Sequence, residues 1–283
     1  MSQAITRRRP EPTSTSSPGS VPSGAHASAG RRSPTWSSAV KAVVGLVTVL
    51  AIWEGAVLVT HPAEYLLVGP VSAFRRLAED PGYFASEGWV TVQEALAGFA
   101  LGTVLGVLCG AVLYYLPVLR HFLYPSLIAV DTIPKVALAP LFIVWFGFGF
   151  ESKALVAMAI AFFPLVINTF DGLASVPQEL KELARINRAS TWMRMTKIEF
   201  IYALPSVFTG AKISISLAVG GAVVGEFIAG SQGLGQVVLL ANSQVDLPTM
   251  FAAFMVLAAI SLTLFALISL LAARLLPWRN RIR

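Results

Sequence analysis

One charged segment lies between two apolar runs: Gln178-Glu179-Leu180-Lys181-Glu182-Leu183-Ala184-Arg185-Ile186-Asn187-Arg188-Ala189-Ser190. The chain keeps charged residues out of nearly all its apolar runs. Leu180, Leu183 and Ala184 fall on one helical face, so the segment predicts an amphipathic helix. Ser190 can then N-cap a second short helix, which continues through Trp192 and Thr196. We call residues 171–204 the charged loop.

Two interpretations of the charged loop are open. It is either a solvated amphipathic hairpin or a docking surface for a soluble partner. The cluster Trp192-Met193-Arg194-Met195 favours docking, because protein interfaces are enriched in large apolar side chains. We therefore expect two short helices that meet at a corner and project from the membrane as a knob.

The composition is that of an integral membrane protein. The chain has 283 residues, of which 55% are hydrophobic and 13% charged, with a mean hydropathy of +0.71. Its net charge of +6 does not indicate a nucleic-acid partner, because the basic residues lie beside the ends of apolar runs rather than in one stripe. Residues 1–35 are rich in Ser, Pro, Gly and Arg and predict a disordered cytoplasmic tail, before one membrane domain at 36–283.

Six apolar segments are long enough to span a bilayer, which predicts an all-α membrane fold with six transmembrane helices. They lie at about 38–60, 89–115, 125–148, 153–170, 205–228 and 250–276. With the N-terminus inside, 16 of the 21 Lys and Arg residues fall in cytoplasmic segments, whereas Arg75, Arg76 and Lys153 fall outside. This bias places both termini and the charged loop in the cytoplasm.

Four glycines in the second span repeat every fourth residue. They are Gly98, Gly102, Gly106 and Gly110. In lipid, helices associate through close backbone approach, so this smooth face predicts a packing seam, which Gly102→Leu should disrupt.

Four polar residues within spans are candidates for the translocation path, each with a structural alternative. Asp131 and Lys135 can pair on one helical face of the third span, with Lys135 attracting an anion, or can simply reach the headgroups. Asn168 is either a solute contact or a hydrogen bond between helices. Glu226 is either a functional intramembrane acid or a carboxylate that caps an inner helix.

Several motifs resemble one membrane family, the permease subunits of binding-protein-dependent ABC importers. Its mark is a cytoplasmic Glu-Ala-Ala motif with a glycine four residues beyond. Glu182-Leu183-Ala184 and Arg188 occupy those places, with Ala189-Ser190 following. Ala161-to-Thr169, Gly225-Glu226 with Gly233-Leu234-Gly235, and Leu275-to-Trp278 are similar to the nitrate, sulfonate and taurine branch.

The resemblance implies what this chain does and with what. The ATPase subunit would contact the loop through Glu182, Leu183, Ala184, Arg185, Arg188, Ala189, Ser190 and Trp192. A homodimer in a bacterial inner membrane would receive a small anion from an extracytoplasmic binding protein. An ion-gradient-driven secondary transporter is the alternative, although inverted repeats and buried charges are scarce.

The sequence lacks the motifs of a catalytic or cofactor site. No Gly-x-x-x-x-Gly-Lys-Ser/Thr motif occurs, so ATP and Mg are expected on the partner ATPase only. We expect neither a catalytic nor a metal site, because no His-Glu-x-x-His or clustered ligands occur among three histidines and one cysteine.

Two positions depart from the family pattern. Leu183 replaces the middle alanine, which several members tolerate, and Arg188 replaces the glycine, which is less usual. Glycine permits a left-handed corner that arginine resists, so Arg188 suggests two readings. Either the corner keeps ordinary dihedral angles, or the ATPase partner is adapted to a cation there.

Overall fold

The computed structural model describes residues 36–63 and 66–277, whose regular structure is helical throughout. The predicted tail, 1–35, lies outside the described residues, as do 278–283. The helices are α1 (Trp36–Thr60), α2 (Pro70–Glu79), α3 (Pro81–Tyr115), α4 (Pro117–Asp131), a 3₁₀-helix (Lys135–Leu138), α5 (Ala139–Phe146), α6 (Phe150–Ala174), α7 (Gln178–Ile186), α8 (Thr191–Arg194), a π-helix (Met195–Glu199), α9 (Phe200–Ala229), α10 (Leu234–Ser243) and α11 (Leu247–Leu275).

The chain divides into two compact units, Met1–Thr48 and Val49–Arg283. Within the first, the described residues form the start of α1, where the Thr48 hydroxyl donates to the Val44 carbonyl at 2.8 Å. All the other helices belong to the second unit.

The predicted all-α membrane class is confirmed. Within residues 36–63 and 66–277, five helices are long and apolar enough to cross a membrane, and one bent pair brings the number to as many as six. The fifth span is longer than predicted, because α8, the π-helix and α9 run on without a break from Thr191 to Ala229. At about 1.5 Å per residue these 39 residues extend roughly 58 Å, well beyond a hydrocarbon core of about 30 Å.

The third predicted span corresponds to a bent pair of helices. The chain bends by 91° between α4 and the segment that begins at Lys135. Pro134 has no backbone N–H and disfavours helical geometry in the residue before it, so the helix ends ahead of it. Asp131 and Lys135 therefore do not share a helical face.

The core of the second unit is built around α6, which packs against α3 along one side. A Cβ added at Gly98, Gly106 or Gly110 would lie 2.5–2.7 Å from Ala157 Cβ, Leu165 Cβ or the Val166 carbonyl oxygen. The partner of each glycine lies about 59 positions further along the chain, so α3 and α6 run parallel in constant register. Only the absence of a side chain permits this approach of two backbones.

The other side of α6 packs in the same way against α9, but antiparallel. A Cβ at Gly210 would lie 2.9 Å from Asn168 Cβ, and one at Gly221 would lie 2.7 Å from Ala157 Cα. The Ser214 hydroxyl donates to the Ala161 carbonyl at 2.6 Å, which adds a hydrogen bond between the two helices. α6 is therefore held between two glycine-lined contacts.

The two ends of this bundle differ in content. The charged loop joins α6 to α9, and it defines what we call the loop end. The other end carries α2, the start of α3 and the N-terminus of α10; we call it the opposite end.

The seam between α3 and α6 gives a test with a built-in control. Gly98→Ala would place its Cβ 2.6 Å from the Ala154 carbonyl oxygen, whereas at Gly102 the nearest atom is 3.3 Å away. We expect Gly98→Ala to destabilise by about 1–3 kcal/mol through overpacking. Gly102→Ala should cost clearly less, because its Cβ lies further from the nearest atom of α6. The gain in helix propensity is the same at both sites and cancels in the comparison. Thermal unfolding in one detergent measures both, and equal losses would contradict the assigned seam.

Candidate functional site

The corner of the charged loop is a left-handed helix ending. The Ala189 N–H donates to the Ala184 carbonyl at 2.9 Å, and the Arg188 N–H donates to the Arg185 carbonyl at 3.0 Å. This pair of bonds is a Schellman ending, and Arg188 occupies its left-handed position with φ 51°. The reading in which this corner keeps ordinary dihedral angles is therefore wrong.

The tip of the charged loop exposes apolar side chains together with charges. Ile186 is 78% exposed and Trp192 is 72% exposed, and Leu183 and Met193 are also exposed. Of the residues proposed to contact a partner, Ala184 is buried and Ala189 is half-buried. The others are exposed, namely Glu182, Leu183, Arg185, Arg188, Ser190 and Trp192.

The charged loop has two arms: α7 is the first, and the segment that begins with α8 is the second. The second arm is not the separate short helix that the sequence predicts. Ser190 does cap it, and its hydroxyl accepts from the Met193 N–H at 3.2 Å. The arm then continues through the π-helix into α9, so the loop is rigidly joined to a membrane span.

A set of contacts at the base of the loop was not predicted. Glu199 is buried, accepts from the Tyr115 hydroxyl at 2.6 Å and pairs with Arg194 at 3.1 Å. The Lys181 ammonium lies 5.5 Å from the centre of the Tyr114 ring. Both arms of the loop are therefore attached to the end of α3.

The opposite end contains a group that we call the buried polar cluster: Glu87, Thr91, Glu94, Lys153 and Glu226. The Lys153 ammonium pairs with Glu94 at 2.6 Å, and both side chains are almost fully buried. Sequence reasoning missed Glu94 and counted Lys153 as an outer-segment residue. The available signal was the spacing of Glu87, Thr91 and Glu94, which places three polar residues on one face of an apolar helix.

This cluster holds the N-terminus of α10. The backbone N–H groups of Gly233, Leu234 and Gly235 donate at 2.5, 2.9 and 2.5 Å to Glu87, Thr91 and Glu226, respectively. The Thr91 hydroxyl also donates to Glu226 at 2.7 Å. Carboxylates suit a helix N-terminus because they satisfy its free N–H groups and its positive dipole end. The geometry favours the helix-capping interpretation of Glu226.

The other polar candidates lie elsewhere. Lys135 pairs with Asp131 at 2.5 Å, and its ammonium lies 4.8 Å from the centre of the Phe163 ring. Asn168 donates to the Pro164 carbonyl of its own helix at 2.8 Å while packing against Gly210 of α9. The structure thus places the four candidates at three separate locations.

Comparison with known proteins identifies the family. A family model described as "Binding-protein-dependent transport system inner membrane component" matches residues 102–281. The chain belongs to this family. It is the permease subunit of an ABC importer, a transport component.

Several relatives align over most of this permease. The riboflavin transport system permease protein RibX of Chloroflexus aurantiacus is 38% identical, covering 83% of this chain and 88% of that protein. The formylaminopyrimidine transport permease protein ThiX of Halalkalibacterium halodurans is 34% identical, covering 86% and 97%. The putative aliphatic sulfonates transport permease protein SsuC of Bacillus subtilis is 31% identical, covering 89% and 91%.

A solved structure shares the fold. One chain of the inward-facing MetNI methionine ABC transporter superposes with a TM-score of 0.54 at 19% identity. The match covers 64% of this permease and 92% of that chain.

The left-handed corner predicts the effect of restoring glycine. Arg188→Gly should stabilise the loop by about 1 kcal/mol, because a side chain in the left-handed region is strained. Hydrogen exchange at the Ala189 amide should slow, since this amide closes the corner. Arg185→Gly, within regular helix, is the control and should speed exchange. Faster exchange in Arg188→Gly would show that the arginine itself holds the corner.

The cap on α10 predicts a loss of stability when Glu226 is removed. Glu226→Ala leaves the buried Gly235 N–H without its acceptor, which costs about 1–3 kcal/mol, and leaves the Thr91 hydroxyl with only its longer bond to the Glu87 carbonyl at 3.3 Å. Glu226→Gln should cost less, because its amide oxygen still accepts one bond. Thermal unfolding in detergent is the measurement, with exposed Glu151→Ala as control. An unchanged midpoint in Glu226→Ala would refute the capping role.

Proposed function

We propose that this permease translocates a small solute across a bacterial inner membrane, powered by separate ATPase subunits that dock on the charged loop. The exposed apolar tip of the loop carries this proposal. ATP and Mg would be bound by the partner, because the sequence has no phosphate-binding motif.

The tip has the composition of a protein interface rather than of a solvated hairpin. Ile186 and Trp192 project from different arms, and both are more than two-thirds exposed. Large apolar side chains surrounded by charges are typical of interface centres with polar rims. Glu182, Arg185 and Arg188 supply charges beside them. A folded partner with a complementary groove would remove this apolar surface from water.

The orientation is part of the proposal. The excess of Lys and Arg supports a cytoplasmic loop end and two cytoplasmic termini.

Cys109 is the single cysteine of the chain, so Cys109→Ser provides a background for topology mapping. In that background, Trp192→Cys should react with an impermeant thiol reagent from the cytoplasm only, and Val71→Cys from the outside only.

The solute class rests on the relatives and on one lysine. The relatives' names mention riboflavin, formylaminopyrimidine and aliphatic sulfonates, so a small organic solute is the common ground. Lys135 offers no free charge to an anion because Asp131 pairs with it. Lys212 lies near the middle of α9, half-exposed, and among the described residues it has no ion-pair partner.

An unpaired cation within a span is expected to face a water-filled path rather than lipid. We therefore favour an anion of the sulfonate, taurine or nitrate kind. Delivery by an extracytoplasmic binding protein accords with the family description.

A second copy of the permease would complete the path beside Lys212. Co-purification of two differently tagged copies tests that homodimer.

The docking proposal predicts loss of ATPase binding without loss of fold. The double variant Ile186→Ala, Trp192→Ala should weaken binding of the cognate ATPase by about tenfold or more, the effect of losing an interface hot spot. Leu262→Ala is the matched control, because Leu262 is equally exposed but lies within α11. Binding is measured by titration with purified ATPase in nanodiscs. Equal affinities for the two variants would contradict docking at the tip.

The energy source separates the proposal from a secondary transporter. Uptake of radiolabelled taurine or riboflavin into cells should stop on ATP depletion and persist when the proton gradient is collapsed. The reverse pattern would favour ion coupling, for which the buried polar cluster would be the candidate site.

A further inference from the structure

Glu199 is a buried carboxylate at the base of the charged loop, outside the proposed docking surface. Only 1% of the residue is exposed, although it follows directly on the exposed arm of the loop. A buried carboxylate is unfavourable unless its oxygens are bonded, so its partners indicate what it holds together.

The two carboxylate oxygens of Glu199 are held by different helices. Oε1 pairs with the Arg194 Nε of α8 at 3.1 Å, and Oε2 accepts from the Tyr115 hydroxyl of α3 at 2.6 Å. Glu199 itself ends the π-helix and directly precedes α9. One side chain therefore joins the exposed arm, a membrane span and the end of a second span.

The other arm reaches the same point on α3. The Lys181 ammonium of α7 lies over the Tyr114 ring, and the Tyr114 and Tyr115 rings meet edge to face, with centroids 4.8 Å apart. Both arms of the charged loop therefore contact the end of α3, so a displacement of the loop moves that end.

The π-helix gives Glu199 its inward position. Trp192 and Glu199 are seven residues apart, so in a regular α-helix they would share a face. The extra residue in a π-turn rotates the following helix by about 100° relative to the preceding one. Trp192 is thus directed outward at the tip while Glu199 is directed at Tyr115.

α3 connects this joint to the opposite end. It is a single helix of 35 residues, roughly 52 Å long, without an interior break. Near its start it carries Glu87, Thr91 and Glu94, which hold α10 and Lys153. A displacement applied at Tyr115 therefore reaches the buried polar cluster through one rigid element.

We infer that Glu199 is a positioning residue that transmits movement of the charged loop to α3 through its bond to Tyr115. The inference rests on the proposed docking of an ATPase on the loop. Glu199, Tyr115 and Arg194 transmit the movement of the loop, whereas the exposed tip determines the affinity for the ATPase.

The experiment monitors the start of α3, which lies at the opposite end of the bundle, in the assembled permease–ATPase complex in nanodiscs. Ser86→Cys, in the Cys109→Ser background, places an environment-sensitive fluorophore on an exposed site near the start of α3. The signal is the change in fluorescence on adding ATP and Mg. Titration of the ATPase onto each labelled variant measures docking separately.

Tyr115→Phe and Glu199→Gln should each reduce the fluorescence change on adding ATP and Mg by about tenfold, as expected for losing a hydrogen bond to a charged group. The affinity for the ATPase should be unchanged. Tyr114→Phe is the matched control: it removes a neighbouring hydroxyl with no hydrogen bond in the described structure and keeps the ring that Lys181 contacts. It should respond like the parent. The double variant Tyr115→Phe, Glu199→Gln should lose less than the sum of the two single losses, because the two residues share one hydrogen bond.

The outcomes distinguish the two levels of inference. Failure of the parent to bind the ATPase would refute the proposed function. Normal docking with a full probe response in Tyr115→Phe would overturn the role of Glu199 while leaving the proposed function intact. If Glu199→Gln does not assemble, Tyr115→Phe still decides the matter, since it removes only one hydroxyl.

Discussion

The close approach of backbones on both sides of α6 is the constraint on which the rest of the second unit depends. Lipid tails are as apolar as leucine, so helices in a bilayer gain little from the hydrophobic effect and associate through van der Waals contact. Glycines on α3 and α9 bring both helices against α6 in constant register. This register determines which polar side chains meet at each end of the bundle.

The polar contacts at the two ends follow from that register. At the opposite end, the alignment of α3 with α6 places Glu94 against Lys153. Because α9 is aligned with α6 as well, Glu226 of α9 lies beside Thr91 of α3. At the loop end, the last turn of α3 meets Glu199. Buried charges are tolerated because each has a partner, and the partners belong to different helices. The same long helix therefore carries an essential contact at each end.

Part of this arrangement could be predicted from sequence, and the limit is physical. The spacing of Gly98, Gly102, Gly106 and Gly110 indicates a packing face, but it does not show that the partner is α6 of the same chain. Hydropathy locates the third span, but it does not show the 91° bend, since Pro134 is compatible with a kink or a break. Glu94 and Lys153 are 59 positions apart, and no local pattern connects them.

The sequence alone determined the membrane class, the approximate spans, the family resemblance and the site of a charged, amphipathic loop, because each depends on composition and on spacing within one helix. Tertiary structure decided the left-handed geometry at Arg188, the cap formed by Glu226 and the joint at Glu199. These depend on atoms brought together from distant segments, or on a backbone conformation that a side chain resists. Local periodicity carries no information about which distant group will satisfy a buried donor or acceptor, because packing makes that choice.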